Sequence, residues 1–300
     1  MILLGSSLNA GAIVAQALPT SVALAGRLLL ASAIMVPLLM RRGQPLPLLS
    51  GPCYGLLCAQ ALIGVIAFNL MIFQAYRSTS TATVGIVFGL LPVVTSLMAT
   101  LFLRERPKWT LVVAVALAVF GTIQLGPTGA HSGLAATSGA GLLLTIGALL
   151  SSGFFSTAGK ALTSFLPPLA VAALVSVAGL MMIAPLAVSE AHNIEFANIG
   201  ARYWLALTWW AVASGIGFFW LWFAGLARVE AHVAGLATVV MPITTVTLSS
   251  LLQREVVTVQ HLLGASCMIA AVTAVLLPPL RLGQLRSAVV LAARHARTLL

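Results

Sequence analysis

The sequence predicts an all-α polytopic membrane protein, with ten transmembrane helices arranged as a 5+5 inverted-topology repeat. Three observations carry that reading. Hydrophobic residues make up 60% of the 300-residue chain and charged residues 7%, with five Glu and no Asp. A soluble domain carries about 25% charged residues, because its surface must be solvated. The apolar residues also fall in continuous runs close to the ~20 residues a helix needs to cross the hydrocarbon core. Finally, the second half of the chain repeats features of the first at a nearly constant offset. Fifteen basic and five acidic side chains cannot cover a globule of this size, which excludes a secreted enzyme, a disulfide scaffold and a disordered chain.

Cutting the chain at charges, prolines and polar clusters gives spans 2–18, 20–40, 52–76, 80–103, 108–126, 138–163, 168–189, 202–227, 231–252 and 258–279. The first has no basic region before it, since the first Arg is Arg27, so it reads as a helix and not as a cleaved signal. The runs are continuously apolar and do not alternate, which excludes a β-barrel. The connections are short, so sequential spans form antiparallel hairpins. The longest, 127–137 and 190–201, cannot hold a soluble domain. The tail 280–300 carries four Arg among Leu, Val and Ala and reads as a basic helix on an anionic leaflet.

Charge sets the orientation. With both termini cytoplasmic, Arg41, Arg42, Arg104, Arg106, Lys108, Lys160, Arg228, Arg281, Arg286, Arg294 and Arg297 lie inside, against Arg77, Arg202 and Arg254 outside. That is a strong positive-inside bias, so both termini are placed in the cytoplasm of a bacterial inner membrane. The net charge of +10 is therefore read as topology and headgroup contact, with no nucleic-acid partner. Cys53, Cys58 and Cys267 match no zinc or redox spacing. His131, His192, His232, His261 and His295 show no metal-ligand spacing, so neither metal nor cofactor is expected.

Sliding the chain against itself gives the repeat. At an offset of 150, Phe68, Phe73, Gly85, Pro92, Thr95, Leu101, Arg104 and Glu105 meet Phe218, Phe223, Gly235, Pro242, Thr245, Leu251, Arg254 and Glu255; Pro19 and Pro37 meet Pro167 and Pro185 at 148. Residues 1–126 and 138–279 are thus two five-helix units. Five is odd, so the two enter the membrane in opposite directions, an architecture of secondary transporters.

The stretch 82–126, with Gly85, Pro92, Arg104-Glu105 and Gly121, resembles the repeat of the drug/metabolite transporter superfamily, specifically its EamA-type ten-helix exporters. The stretch 231–277 carries Gly235, Pro242, Arg254-Glu255, Gln260 and Gly264 in the same pattern, and Gly5-Ser6 and Arg27 also fit. Leu4 stands where the family often has Trp, and Ala271 replaces the late Gly matched by Gly121. The resemblance implies transport of small organic molecules, with amino acids and related metabolites the first class to test.

Polar and aromatic side chains at membrane depth mark a cargo path, because each must face protein or water. The candidates are Asn9, Gln16, Gln60, Asn69, Gln74 and Gln124, the last near a helix end; of these Asn9, Gln60 and Asn69 are the first choices to line it, the alternative being hydrogen bonds between helices. Trp210 and Trp220 in the aromatic eighth span fall on different faces, and Phe88 and Thr238 are paired by the repeat as further lining candidates. Gly85 with Pro92 and Gly235 with Pro242 read as gating kinks or as static packing seams. Lys160 reads as a snorkelling anchor or a carboxylate-binding group, Arg27 as a partner for a nearby carbonyl, and Glu105 and Glu255 as loop or ion-pair residues. No acid, base and nucleophile cluster together, so an enzyme is not expected. The expected function is export of small metabolites by alternating access, as a facilitator, since all five Glu map to ends or loops. The alternatives are a membrane-embedded lipid-handling protein or enzyme, and a proton-coupled drug exporter. The partners implied are the lipid bilayer and a small-molecule cargo.

Overall fold

The computed structural model describes residues 2–43, 51–78, 87–88, 90–105, 109–124, 139–192 and 194–240, with the single positions 263, 266, 267 and 270. Every regular element among them is helical. Apolar runs of this length leave helices as the way to satisfy backbone donors and acceptors within one segment in lipid. In chain order the helices are α1 (Ile2–Val14), α2 (Thr20–Arg41), α3 (51–78), α4 (Leu91–Leu103), α5 (Trp109–Gln124), α6 (Gly139–Leu162), α7 (Pro168–Ala191), α8 (Ala201–Leu226) and α9 (Ala231–Leu236, continuing as a 3₁₀ turn over Ala237–Val239). Thr20–Arg41, Gly51–Ala75, Gly139–Leu162, Pro168–Ala191 and Ala201–Leu226 are long and apolar enough to cross a bilayer. The tenth expected span, the loop 127–137 and the tail 280–300 lie outside the continuously described residues.

Proline decides where the first hairpin turns. Pro19 fixes its own φ near −56° and disfavours helical geometry in the residue before it. α1 therefore ends at Val14, four residues short of the expected 18, and its last carbonyls bond a tightened turn. The bonds are Ala15 N to Gly11 O, Gln16 N to Ile13 O, Ala17 N to Val14 O and Leu18 N to Val14 O. The turn between α6 and α7 repeats all four, from Thr163 N to Gly159 O through Leu166 N to Leu162 O, and Pro167 has φ −57°. Pro37 and Pro185 also occupy matching places inside α2 and α7.

α3 and α8 share a rarer feature. Each is α-helical at both ends and carries a π-helical stretch in the middle, Gln60–Ala67 in α3 and Ala211–Phe218 in α8. A π-turn inserts one residue, rotates the side chains beyond it and is common at functional sites. The fourth helix differs from the expected continuous span 80–103. Helical geometry is broken by a turn at Leu90, and Pro92 stands in the first turn of α4, not in mid-helix. A missing amide donor is tolerated there, because first-turn N–H groups have no intrahelical acceptor. α4 ends at Arg104, whose φ of 57° is the left-handed cap common after helices.

Packing is reciprocal. α2 and α7 form the most extensive contact, through Leu24, Leu28 and Met35 against Val171, Val175 and Ile183. α1 packs on α8 and α6 on α3, while α4 crosses α9. α6 can approach its neighbours because it presents glycines. A Cβ on Gly153 would lie 2.7 Å from Val94 Cγ1 in α4. Leu29, Leu143, Met181, Leu205 and Leu221 face outward, as residues in contact with acyl chains must.

Candidate functional site

A cavity of about 780 Å³ opens at one end of the bundle. Its wall comes from the α1–α2 turn (Gln16, Thr20, Ser21), the second half of α3 (Leu70, Met71, Gln74), Leu144 near the start of α6 and Glu190 at the end of α7. The Ser21 hydroxyl donates a short hydrogen bond to Glu190 Oε2, joining α2 to α7. The wall is mixed in character, with Leu70, Met71 and Leu144 beside the Gln16 and Gln74 amides, the Thr20 and Ser21 hydroxyls and the Glu190 carboxylate.

Next to the cavity-lining residues of α3 lies an aromatic pair. Phe73, between Leu70 and Gln74 on α3, meets the Trp210 ring with centroids 5.9 Å apart. α1 lies against the same indole at Gly11, where a Cβ would make ordinary contact 3.5 Å from Trp210 Cε2. Behind Trp210 lies Arg27, only 4% exposed. Its guanidinium carbon is 5.0 Å from the Trp210 ring centre and 5.5 Å from that of Phe219. Arg27 Nη1 donates to Ser214 Oγ at 3.1 Å, and that hydroxyl in turn donates to the Trp210 carbonyl at 2.7 Å. Arg27 Nε and Nη2 have no hydrogen-bond partner. Cation–π contact compensates the faces of a buried guanidinium; it does nothing for N–H groups in the guanidinium plane.

The other sequence-predicted residues are dispersed. Gln60 opens the π-turn of α3, fully buried, and donates from Nε2 to the Phe155 carbonyl of α6 at 3.0 Å, while its Oε1 is unpaired. Asn69 donates from Nδ2 to the Val65 carbonyl one turn back at 2.7 Å. Phe88 meets the Phe68 edge with centroids 6.2 Å apart. Trp220 is half-buried under the guanidinium of Arg42, 4.9 Å from the ring centre. Thr238 donates to Gly235 O at 2.6 Å, and Gly235 itself permits the α4–α9 crossing, since a Cβ there would meet Thr95 at 3.1 Å. Asn9 lies on α1 and Gln124 ends α5, with side chains outside the described set. Gly85 and Pro242 also lie outside it. The structure thus brings Trp210 together with Arg27 and Phe73, and leaves Trp220 and Thr238 elsewhere.

The opposite end of the bundle is tied across helices. Glu105 Oε1, beyond α4, accepts from the Ala231 amide that begins α9, at 3.0 Å. Lys160 Nζ of α6 donates to the Leu226 carbonyl that ends α8, at 2.7 Å. Each charge meets the helix end whose dipole it complements. Glu105 therefore bridges helices distant in sequence, and Lys160 caps a helix instead of extending to the headgroups. Ser214, Phe73 and the Ser21–Glu190 pair escaped sequence reasoning. Gly64 and Gly215, one inside each π-turn, were the available signal: a Cβ would lie 3.0 Å from Phe155 Cβ at the first and 3.1 Å from Ala31 Cβ at the second.

Apolar helices of spanning length define a class, the multi-pass membrane proteins. The chain matches the EamA-like transporter family over residues 1–126 and again over 139–277, and it belongs to that family, within the drug/metabolite transporter superfamily. It is 26% identical over 273 residues to the uncharacterized transporter YetK of Bacillus subtilis (strain 168), covering 91% of this chain and 83% of that protein. It is 23% identical over 191 residues to the uncharacterized transporter YyaM of the same organism, covering 63% of this chain and 62% of that protein. A solved crystal structure superposes with a TM-score of 0.74 at 18% identity, covering 92% of this chain and 93% of the other, a likeness of fold.

Proposed function

We propose that this chain is a secondary transporter that exports small organic metabolites, amino acids or related compounds, across the inner membrane of a bacterium. Ten helices form two inverted five-helix units, 1–126 and 138–279, and cargo passes by alternating access between them, with both termini and the basic tail 280–300 in the cytoplasm. The carrying observation is the unequal treatment of the two ends. One end opens into the 780 Å³ cavity; the other is tied by Glu105 to α9 and by Lys160 to α8. By the distribution of Arg and Lys the tied end is cytoplasmic, so this is an outward-facing arrangement. The paired Pro19 and Pro167 turns, the paired π-turns and the reciprocal packing support exchange of roles between the units.

Purified protein in liposomes, preloaded with unlabelled cargo, should accumulate the labelled compound transiently without a pH gradient. A panel of amino acids, nucleosides and lipids identifies the class. Counterflow of none of them, or movement of lipid alone, overturns the reading. Glu190 favours a second reading, in which export is coupled to protons, because its carboxylate lines the cavity. Uphill accumulation that collapses with a protonophore and disappears in Glu190→Gln would select that reading over a facilitator.

A further inference from the structure

Arg27 is the one basic side chain among the described residues that sits buried inside a spanning helix, two turns from its start, and its bonding is incomplete along a single edge. Nη1 is used by Ser214, and the rings of Trp210 and Phe219 lie against the guanidinium, 5.0 and 5.5 Å from its carbon. The atoms left over are Nε and Nη2. These are the two donors that point in parallel from one side of the guanidinium, the fork that accepts both oxygens of a carboxylate. Within the described residues no protein carboxylate fills it. Glu105 accepts from Ala231, Glu190 from Ser21 and Glu195 from Asn198, and Glu230 is exposed beyond α8. A buried charge left unpaired in low dielectric is unfavourable, so a counter-charge delivered with a ligand is favoured there.

We propose that the Nε–Nη2 edge of Arg27 is the cargo anchor and that the cargo carries a carboxylate. This assignment rests on the transport reading and narrows its substrate class. The guanidinium and one carboxylate form a neutral pair, whereas a phosphate dianion would leave that pair with a net negative charge. Access runs from the cavity through Phe73 and Trp210. Phe73 sits between the wall residues Leu70 and Gln74, and the Trp210 ring lies directly over Arg27, so a swing of that indole joins cavity to fork. Trp210 then stacks on the occupied pair, and Ser214 holds the guanidinium in orientation.

The test uses the full chain in detergent and in liposomes. Neutral amino acids (leucine, phenylalanine, threonine) are each compared with their own carboxamide, with inorganic phosphate as a separate arm. The readouts are ligand-induced thermal stabilisation and counterflow. At least one carboxylate should stabilise the wild type and be carried, with its amide at least tenfold weaker. Arg27→Lys, which keeps the charge and loses the fork, should lower that preference at least tenfold, and Arg27→Met should abolish it. Gly225→Ala, away from the site and with nothing within 4 Å of its added Cβ, should retain it. Should Arg27→Met fail to fold, the lysine variant decides against that control. Equal response to acid and amide, stabilisation by phosphate alone, or an unchanged preference in Arg27→Lys overturns the proposal. Counterflow of uncharged cargo only would refute the anchor and leave transport standing; carboxylate-selective stabilisation without any counterflow would do the reverse.

Discussion

The α6–α8 crossing makes a quantitative demand on Gly159. A Cβ placed there would lie 2.6 Å from Phe223 Cε1, 3.1 Å from its Cδ1 and 3.2 Å from Leu226 Cδ1. Phe223 has no room to withdraw: it is fully buried, with Phe155 and Phe219 at centroid distances of 5.4 and 6.0 Å. Forcing a methyl into such a site costs about 1–3 kcal/mol. Alanine recovers up to ~1 kcal/mol of helix propensity, most of it where the backbone would otherwise meet water. Gly159→Ala should therefore destabilise by about 1–2 kcal/mol, a fall of several degrees at the ~2–4 °C per kcal/mol expected for a protein of this size. Gly225→Ala on α8 is the control, because nothing lies within 4 Å of its added Cβ; it should melt at or above the wild-type temperature. Thermal unfolding in one detergent, with the Gly159→Ala/Phe223→Leu double variant as a partial rescue, is the assay. A Gly159→Ala protein as stable as the Gly225→Ala protein would refute the close crossing of α6 and α8.

Three other outcomes are expected. Lys160→Met should lower the melting temperature by the equivalent of roughly 1.5–3 kcal/mol, the worth of a hydrogen bond made by a charged group, because the Leu226 carbonyl loses its donor; a melting curve equal to wild type would show the bond contributes nothing. Gln60→Met removes both the bond to Phe155 and the unpaired Oε1 and should stay within about 1 kcal/mol of wild type, whereas Gln60→Glu places a carboxylate at the same buried point and should destabilise more at pH 7. A single cysteine introduced into the tail after residue 280 should resist membrane-impermeant maleimide in intact cells and react after permeabilisation; labelling in intact cells would reverse the topology.

Helix placement could be read from the sequence because lipid imposes it. Unbroken apolar runs and the prolines at 19, 37, 167 and 185 locate α2 and α7 to within two residues. The π-turns could not be read, since an inserted residue leaves the apolar pattern intact and depends on which neighbour presses against Gly64 or Gly215. At the candidate site, Trp210 and Arg27 could each be named from composition and depth. Their stacking could not, because it requires knowing that α2 lies beside the π-turn of α8. Asn69 shows the limit most clearly: a polar residue at membrane depth needs a partner, and here that partner is its own helix, one turn away.

The separation of Arg27 from its cover along the chain has a consequence for biogenesis. The Ser214 hydroxyl that receives its Nη1 is made 187 residues later, and translation at about 5–20 residues per second implies a wait of roughly 10–40 s. During that interval α2 stands in or beside the translocon with an arginine two turns inside its start, disfavoured by at most the ~2.5–3.5 kcal/mol of a charge at the centre of an isolated helix. Arg41 and Arg42 at the other end of α2 hold it in the orientation that positive residues favour. α2 is thus a segment inserted on credit, and ribosome stalling before α8 emerges should leave it the first helix presented to quality-control proteases.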